Sequence, residues 1–189
     1  MRIATNLIQN LVNGHVGSTY NGLSGQWSSL KFVTDPYLRI HGLSSGLNYG
    51  QHAFEGLKAH RMPGNPSSIS IFRPDRNASR LQHSASVIHL PSVPEEMFLQ
   101  ACRMAVALNA EYVPSHESGC GMYIRPLLFG SSPMSIPGSP DTCTFCVYVF
   151  PTSIGAQPMP PVKALVPENF DRTAPKGVGH AKVEATTLE

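Results

Sequence analysis

No apolar run in this chain approaches the ~18 residues that a helix needs to cross a bilayer, so a helical membrane span is excluded. The opening stretch, MRIATNLIQNLVNGH, lacks the unbroken apolar core of a secretory signal. There is no block of lysine or arginine; the net charge is only +2 and 14% of residues are charged. Nucleic acid and anionic membranes are therefore set aside as partners. The chain reads as soluble and intracellular, cytoplasmic with a mitochondrial location left open. Cysteine is scarce, with four in 189 residues, and in that compartment the thiols are expected to be free. The eight histidines show no metal-ligand spacing, so no metal site is expected.

What is present suffices for a core without staples, because 41% of the residues are hydrophobic at a length that suits one domain or one and part of a second. Cys143 and Cys146 form a CxxC inside DTCTFCVYVF. That run is β-branched and aromatic, and residues three apart on a strand face opposite sides. Buried strand cysteines are the better reading than a redox or metal pair. Asn77, Ala78 and Ser79 match a glycosylation sequon, which an intracellular chain would carry by chance.

Along the chain, residues 1–30 are rich in Gly, Ser and Asn and give little signal. KFVTDPYLRIHGL predicts strand, turn, strand, with Asp35 and Pro36 at the turn. SSISIFRP alternates and predicts a strand with Ile69 and Ile71 on one side. RPDRNASRLQHSASVI places Leu81, Ala85 and Ile88 at helical spacing, with Asp75 as its N-cap. SVPEEMFLQACRMAVALNAEYV predicts a second helix, opened by a capping box of Ser92 and Glu95. Its apolar stripe is Phe98, Ala101, Ala105, Leu108 and Tyr112. GMYIRPLLFG and CTFCVYVF follow as strands. PTSIGAQPMPP, residues 151–161, then reads as an interdomain linker, and VKALV as one strand of a new unit. The expected class is α+β: a small domain over 1–150, the linker, and over 162–189 only the start of a larger domain.

Four stretches, DPYLRIHGLSSGLNYGQHAFEGLKAHR, SISIFRPDRNASRLQHSA, MYIRPLLFG and DRTAPKGVGHAK, resemble the branched-chain amino acid aminotransferases, fold-type IV enzymes of pyridoxal 5'-phosphate. The likeness runs over roughly residues 27–182 and is nearest in wording to fungal members, including those of secondary metabolism. It implies the N-terminal small domain of that fold and transfer of an amino group between a branched-chain amino acid and a 2-oxo acid. It also implies a homodimer for the complete enzyme.

The resemblance puts Lys182 at the Schiff-base position, where spacing alone reads only a solvated lysine near the end of the chain. A lysine there must offer a neutral amine and move a proton at the substrate Cα. Arg80 falls at the phosphate-binding arginine, a role that suits a fixed, always-charged fork of donors; Arg73 is a competing candidate. Tyr49 and Phe54 match residues of the apolar pocket wall. Tyr123 and Arg125 alternate on one strand face, which sets a phenol beside a guanidinium for carboxylate recognition. Glu55 and Lys58 read as a local ion pair, and His180 as a bystander.

The pattern departs after Lys182. The family continues Gly-Gly-Asn-Tyr, whereas here Glu184 and Ala185 stand for the glycines and Thr186 and Thr187 for the last two. The acid that pairs with the pyridine nitrogen has no counterpart. This is read as an early end to a longer reading frame. The alternatives are a non-catalytic remnant of such an enzyme, prone to association through an exposed sheet edge, and a D-amino acid aminotransferase or β-eliminating lyase of the same fold.

Overall fold

The computed structural model describes residues 12–133, 139–152, 161, 163–164 and 176–183. The frame is an antiparallel sheet with two helices on one face. The strands are β1 (His15–Asn21), β2 (Gln26–Trp27), β3 (Lys31–Val33), β4 (His52–Phe54), β5 (Leu57–Met62), β6 (Asn65–Ile71), β7 (Gly121–Gly130) and β8 (Thr142–Thr152). Their order is β2-β1-β8-β7-β5-β6, with β3 beside β1 and β4 beside β7. The helices are the short α1 (Ser45–Asn48), α2 (Pro74–Val87) and α3 (Glu95–Ala107).

The long central strands sort their side chains by parity. Met122, Ile124 and Leu128 of β7 and Phe145, Val147 and Val149 of β8 are buried together with Leu81 and Ala85 of α2 and Phe98, Ala101 and Ala105 of α3. That layer is the core, and each fully buried large side chain there contributes about 1.5–3 kcal/mol. Cys143 is buried in the same layer, while Cys146, three residues on, is buried on the opposite face. Both are free, and burial pushes each thiol up to about 12. They are strand cysteines, as the composition of the run suggests.

Several local expectations change. The second strand of KFVTDPYLRIHGL does not form: β3 ends at Val33, and residues 38–41 join no strand ladder among the described residues. The sheet's partner for that stretch is already supplied, because β1 bonds β8 on one side and β2 and β3 on the other. β1 itself arises from the weak-signal region, since its polar residues Ser18 and Thr19 hydrogen-bond with Ser28 while Val16 enters the core and Tyr20 packs against it. Asp75 is not the N-cap of α2. Arg73 takes that place with a left-handed backbone, φ 44°, and Asp75 lies in the first turn, where its charge favours the helix dipole. The capping box of α3 is absent too. The helix starts at Glu95 with extended Pro94 as its cap, and the Ser92 carbonyl accepts the Trp27 indole N–H at 3.0 Å. Tyr112 lies beyond α3 in a 3-10 turn. Pro151 and Thr152, assigned by composition to a linker, complete β8 opposite Met122 and Gly121. The rest of that segment, residues 153–160, and most of VKALV lie outside the described residues.

Among the described residues no helix is long and apolar enough to cross a membrane, and no cluster of His, Cys, Asp or Glu is gathered as a metal site.

On the face away from the helices, His15 is buried and stacked on Tyr148, ring centroids 4.3 Å apart. Its Nδ1 has no partner among the described residues. Burial lowers the His15 pKa, and nearby Asp35 opposes the shift only in part. A base whose folded pKa lies below its unfolded value gives full stability above the unfolded value, and loses it as the unfolded chain takes up a proton first. Folding stability is therefore expected to fall as pH drops below about 6.5. Urea unfolding across that range should show a shallower fall for His15→Phe than for the parent; an unchanged slope would remove His15 as the cause.

Candidate active site

The site begins with a proline. β4 and β5 lie end to end along one side of β7, with Phe54 opposite Leu127 and Leu57 opposite Ile124. The gap between them faces Pro126. The Pro126 carbonyl accepts the Glu55 N–H at 2.9 Å, but proline has no N–H to return. The ladder breaks there, at Glu55 and Gly56.

The break distributes three consecutive residues. Phe54 is buried on the face away from the helices, with the Arg125 guanidinium 5.0 Å from its ring centroid. Glu55 is wholly buried on the helix side. Gly56 leaves space for Tyr123: a Cβ at this position would overlap the Tyr123 hydroxyl.

Tyr123 and Arg125 stand side by side on β7, as their alternation predicts. Arg125 Nη2 donates to the Tyr123 hydroxyl at 3.3 Å, and the guanidinium carbon lies 5.1 Å from the Tyr123 ring centroid. Phe150 stacks on Tyr123 at 5.1 Å. Arg125 Nε is buried without a partner among the described residues. A buried guanidinium donor left unmatched marks a place where an anionic oxygen would be welcome.

Lys182 reaches the same face. Val183 forms an antiparallel bridge with Ala53, and the Lys182 carbonyl accepts the Phe54 N–H at 3.3 Å. The segment therefore lines the free edge of β4. The Lys182 N–H donates to Ser84 Oγ of α2 at 2.8 Å. The Lys182 amine sits 4.1 Å from the Phe54 ring centroid, a cation–π placement worth roughly 0.5–1 kcal/mol where exposed.

Arg80 lies on α2 one turn before Ser84, so both positions occupy one helix face. Its guanidinium binds the Glu55 carboxylate through Nε and Nη2, each at 2.5 Å, and Asn77 Nδ2 adds a bond at 2.7 Å. The bonds from Arg80 to Glu55, with the carboxylate's charge, raise the Arg80 pKa above its usual value. The local pair expected between Glu55 and Lys58 is thus replaced by one between Glu55 and Arg80. The reason is parity: Lys58 pairs with Tyr123 on the face away from the helices, while Glu55 faces α2.

The structure brings Lys182, Phe54, Tyr123 and Arg125 to one face and anchors Arg80 behind the same edge. Tyr49 is not joined to them by any hydrogen bond or ring contact among the described residues; it caps α1, half-exposed. Arg73 is exposed at the start of α2. His180 packs its ring 5.1 Å from that of His83. Glu55, Gly56, Asn77 and Ser84 join the site without having been singled out for it in the sequence. A signal did exist in the spacing of Asn77, Arg80 and Ser84, which sets three polar groups along one side of an otherwise amphipathic helix.

The chain is similar to fungal aminotransferases. Aminotransferase apf4 of Gibberella fujikuroi is 53% identical over 174 residues, 92% of this chain and 45% of that protein. Transaminase AMT5-2 of Alternaria alternata is 50% identical over 176 residues, 91% of this chain and 46% of that protein. The chain spans about half the length of the curated relatives it matches. No protein-family profile matches it. Its fold is that of branched-chain amino acid aminotransferase from Escherichia coli, with a TM-score of 0.64 at 23% identity, covering 93% of this chain and 51% of that one. The T.th. branched-chain amino acid aminotransferase, complexed with N-(5'-phosphopyridoxyl)-L-glutamate, has a TM-score of 0.52 at 23% identity, covering 74% of this chain and 41% of that one.

The Gly56 contact can be checked directly. Gly56→Ala is expected to displace Tyr123 and cost about 1–3 kcal/mol by overpacking. Gly42→Ala, where a Cβ would meet nothing within 4 Å, serves as the control. Equal denaturation midpoints for the two variants would contradict the packing.

Proposed function

We propose that this chain carries the lysine-bearing part of a pyridoxal 5'-phosphate-dependent aminotransferase acting between a branched-chain amino acid and a 2-oxo acid. The supporting observation is the convergence of the Lys182 amine, the Phe54 ring and the Arg125–Tyr123 pair on one face, with Arg80 tied to the adjoining residue, Glu55. Relationship to fungal aminotransferases supports the reaction type. A role in fungal secondary metabolism, in the cytoplasm and as a homodimer, completes the reading.

The residues present fit the cofactor's demands. A guanidinium has five N–H donors, and Arg80 commits two to Glu55, leaving three for a phosphate. The unmatched Arg125 Nε, flanked by the Tyr123 hydroxyl, supplies a charged donor for the substrate carboxylate. Phe54 and Leu127 offer apolar surface to an aliphatic side chain. When bound, the cofactor supplies an aldehyde for an amine and an electron sink for the substrate. Lys182 would hold the cofactor through its amine and would move the proton at the substrate Cα, and the amine must be neutral for both. The β4 edge and α2 fix its backbone through the bonds to Phe54 and Ser84, so the amine is presented from a paired segment.

Addition of pyridoxal 5'-phosphate is expected to produce a visible absorption band that Lys182→Ala abolishes while the circular dichroism stays that of the parent. Arg125→Met should weaken 2-oxo acid binding by roughly tenfold or more, the loss of one charge-assisted contact. A folded chain with no lysine-dependent band would leave Lys182 a structural residue and favour a non-catalytic role. Turnover of D-amino acids or β-elimination in place of branched-chain transamination would move the chain to those branches of the fold.

A further inference from the structure

Among the described residues Glu55 is the one carboxylate buried in the protein, at 0% exposure. A buried carboxylate is expensive unless its oxygens are satisfied. Here they accept from Arg80 Nε and Nη2, from Asn77 Nδ2 and, at 3.3 Å, from the Gly56 N–H. The partner is placed differently: the Arg80 side chain is 50% exposed. One end of the pair is fixed inside the protein, and the other reaches solvent at the edge where Lys182 is bound.

A side-on grip through Nε and Nη2 fixes both the plane and the rotation of a guanidinium. Without it the long arginine side chain would sample many rotamers, and an anion would bear the cost of ordering it. We propose that Glu55 is a positioning residue that holds Arg80 ready to bind the phosphate of the cofactor, an inference that rests on the function proposed above. Asn77 completes the device by holding the carboxylate from the same helix as Arg80. Charge works against this role, since Glu55 also neutralises the cation that attracts the phosphate. Positioning and neutralisation therefore predict opposite results when the carboxylate becomes an amide. Glutamine removes the charge, and its NH2 group cannot accept from Arg80.

The test compares the affinity of the chain for pyridoxal 5'-phosphate with that for pyridoxal, by calorimetric titration; the ratio isolates the phosphate contribution. Glu55→Gln is expected to lower the ratio by about tenfold, with pyridoxal binding unchanged. Arg80→Ala should bring the ratio close to one, and adding Glu55→Gln to it should change nothing further. Asn77→Ala, at a half-buried position that leaves the ion pair in place, should lower the ratio by roughly threefold and keeps the question open to measurement if Glu55→Gln fails to fold. A ratio that stays level or rises in Glu55→Gln, while Arg80→Ala lowers it, overturns the positioning role and leaves the phosphate anchor intact. A ratio unmoved by Arg80→Ala overturns the anchor itself, and this inference with it. Equal losses for both ligands in Glu55→Gln would show general damage to the fold and overturn positioning as well.

Discussion

Pro126 has no amide hydrogen, and the site is organised around that absence. In an uninterrupted antiparallel ladder, Glu55 and Pro126 would exchange two hydrogen bonds. Only one can form, from the Glu55 N–H to the Pro126 carbonyl. The edge strand is split into β4 and β5 at that point, while β7 keeps its pairing with β8 on the other side. Among the described residues β6 pairs only with β5, from Ala59 onward, so the outer edge of β4 is left for the Lys182 segment, which α2 also holds through Ser84. The split also lets a carboxylate, a glycine and an aromatic ring follow one another with three different tasks.

The sheet's two faces divide the labour. The helix face is apolar and closed, and its burial carries the stability of the unit. The other face is half-buried and mixed: Tyr123, Arg125, Phe54 and Phe150 form a stacked group, with His15 and Tyr148 as a second stack farther across. The Arg125 guanidinium lies against two aromatic rings, and among the described residues no acid pairs with it. That differs from Arg80, whose charge is compensated by Glu55 and whose orientation is fixed by it. The two arginines thus differ in setting, one held against aromatic rings on the open face and one paired with an acid at the strand edge.

Elements with strong periodicity were legible in the sequence. Alternation marked β6, β-branched and aromatic composition marked β8, and the spacing of Leu81 with Ala85 and of Phe98 with Ala101 and Ala105 marked α2 and α3. Helix starts were less legible. Ser92 and Glu95 have the spacing of a capping box, yet Ser92 uses its carbonyl for Trp27, which lies far away in the chain. β1 and β4 carried little signal because pairing, not hydrophobic pattern, creates them: β1 is satisfied by β8 and by Ser28, and β4 by three residues of β7. For the site, Tyr123 and Arg125 could be placed side by side from strand parity alone, while the resemblance named Lys182, Arg80 and Phe54 without showing how they meet.

By itself the sequence determined the strand that carries Tyr123 and Arg125 and the helix that carries Arg80, because each of these depends on local period, while the resemblance singled out Lys182, Arg80 and Phe54. The tertiary structure decided the partners. Glu55 turned to Arg80 instead of Lys58 because the sheet assigned them opposite faces, and Lys182 came to the Phe54 ring because the β4 edge had open backbone groups for it to bond. Such choices follow from which hydrogen-bonding groups remain unsatisfied after the sheet has closed, and a linear chain does not display that remainder.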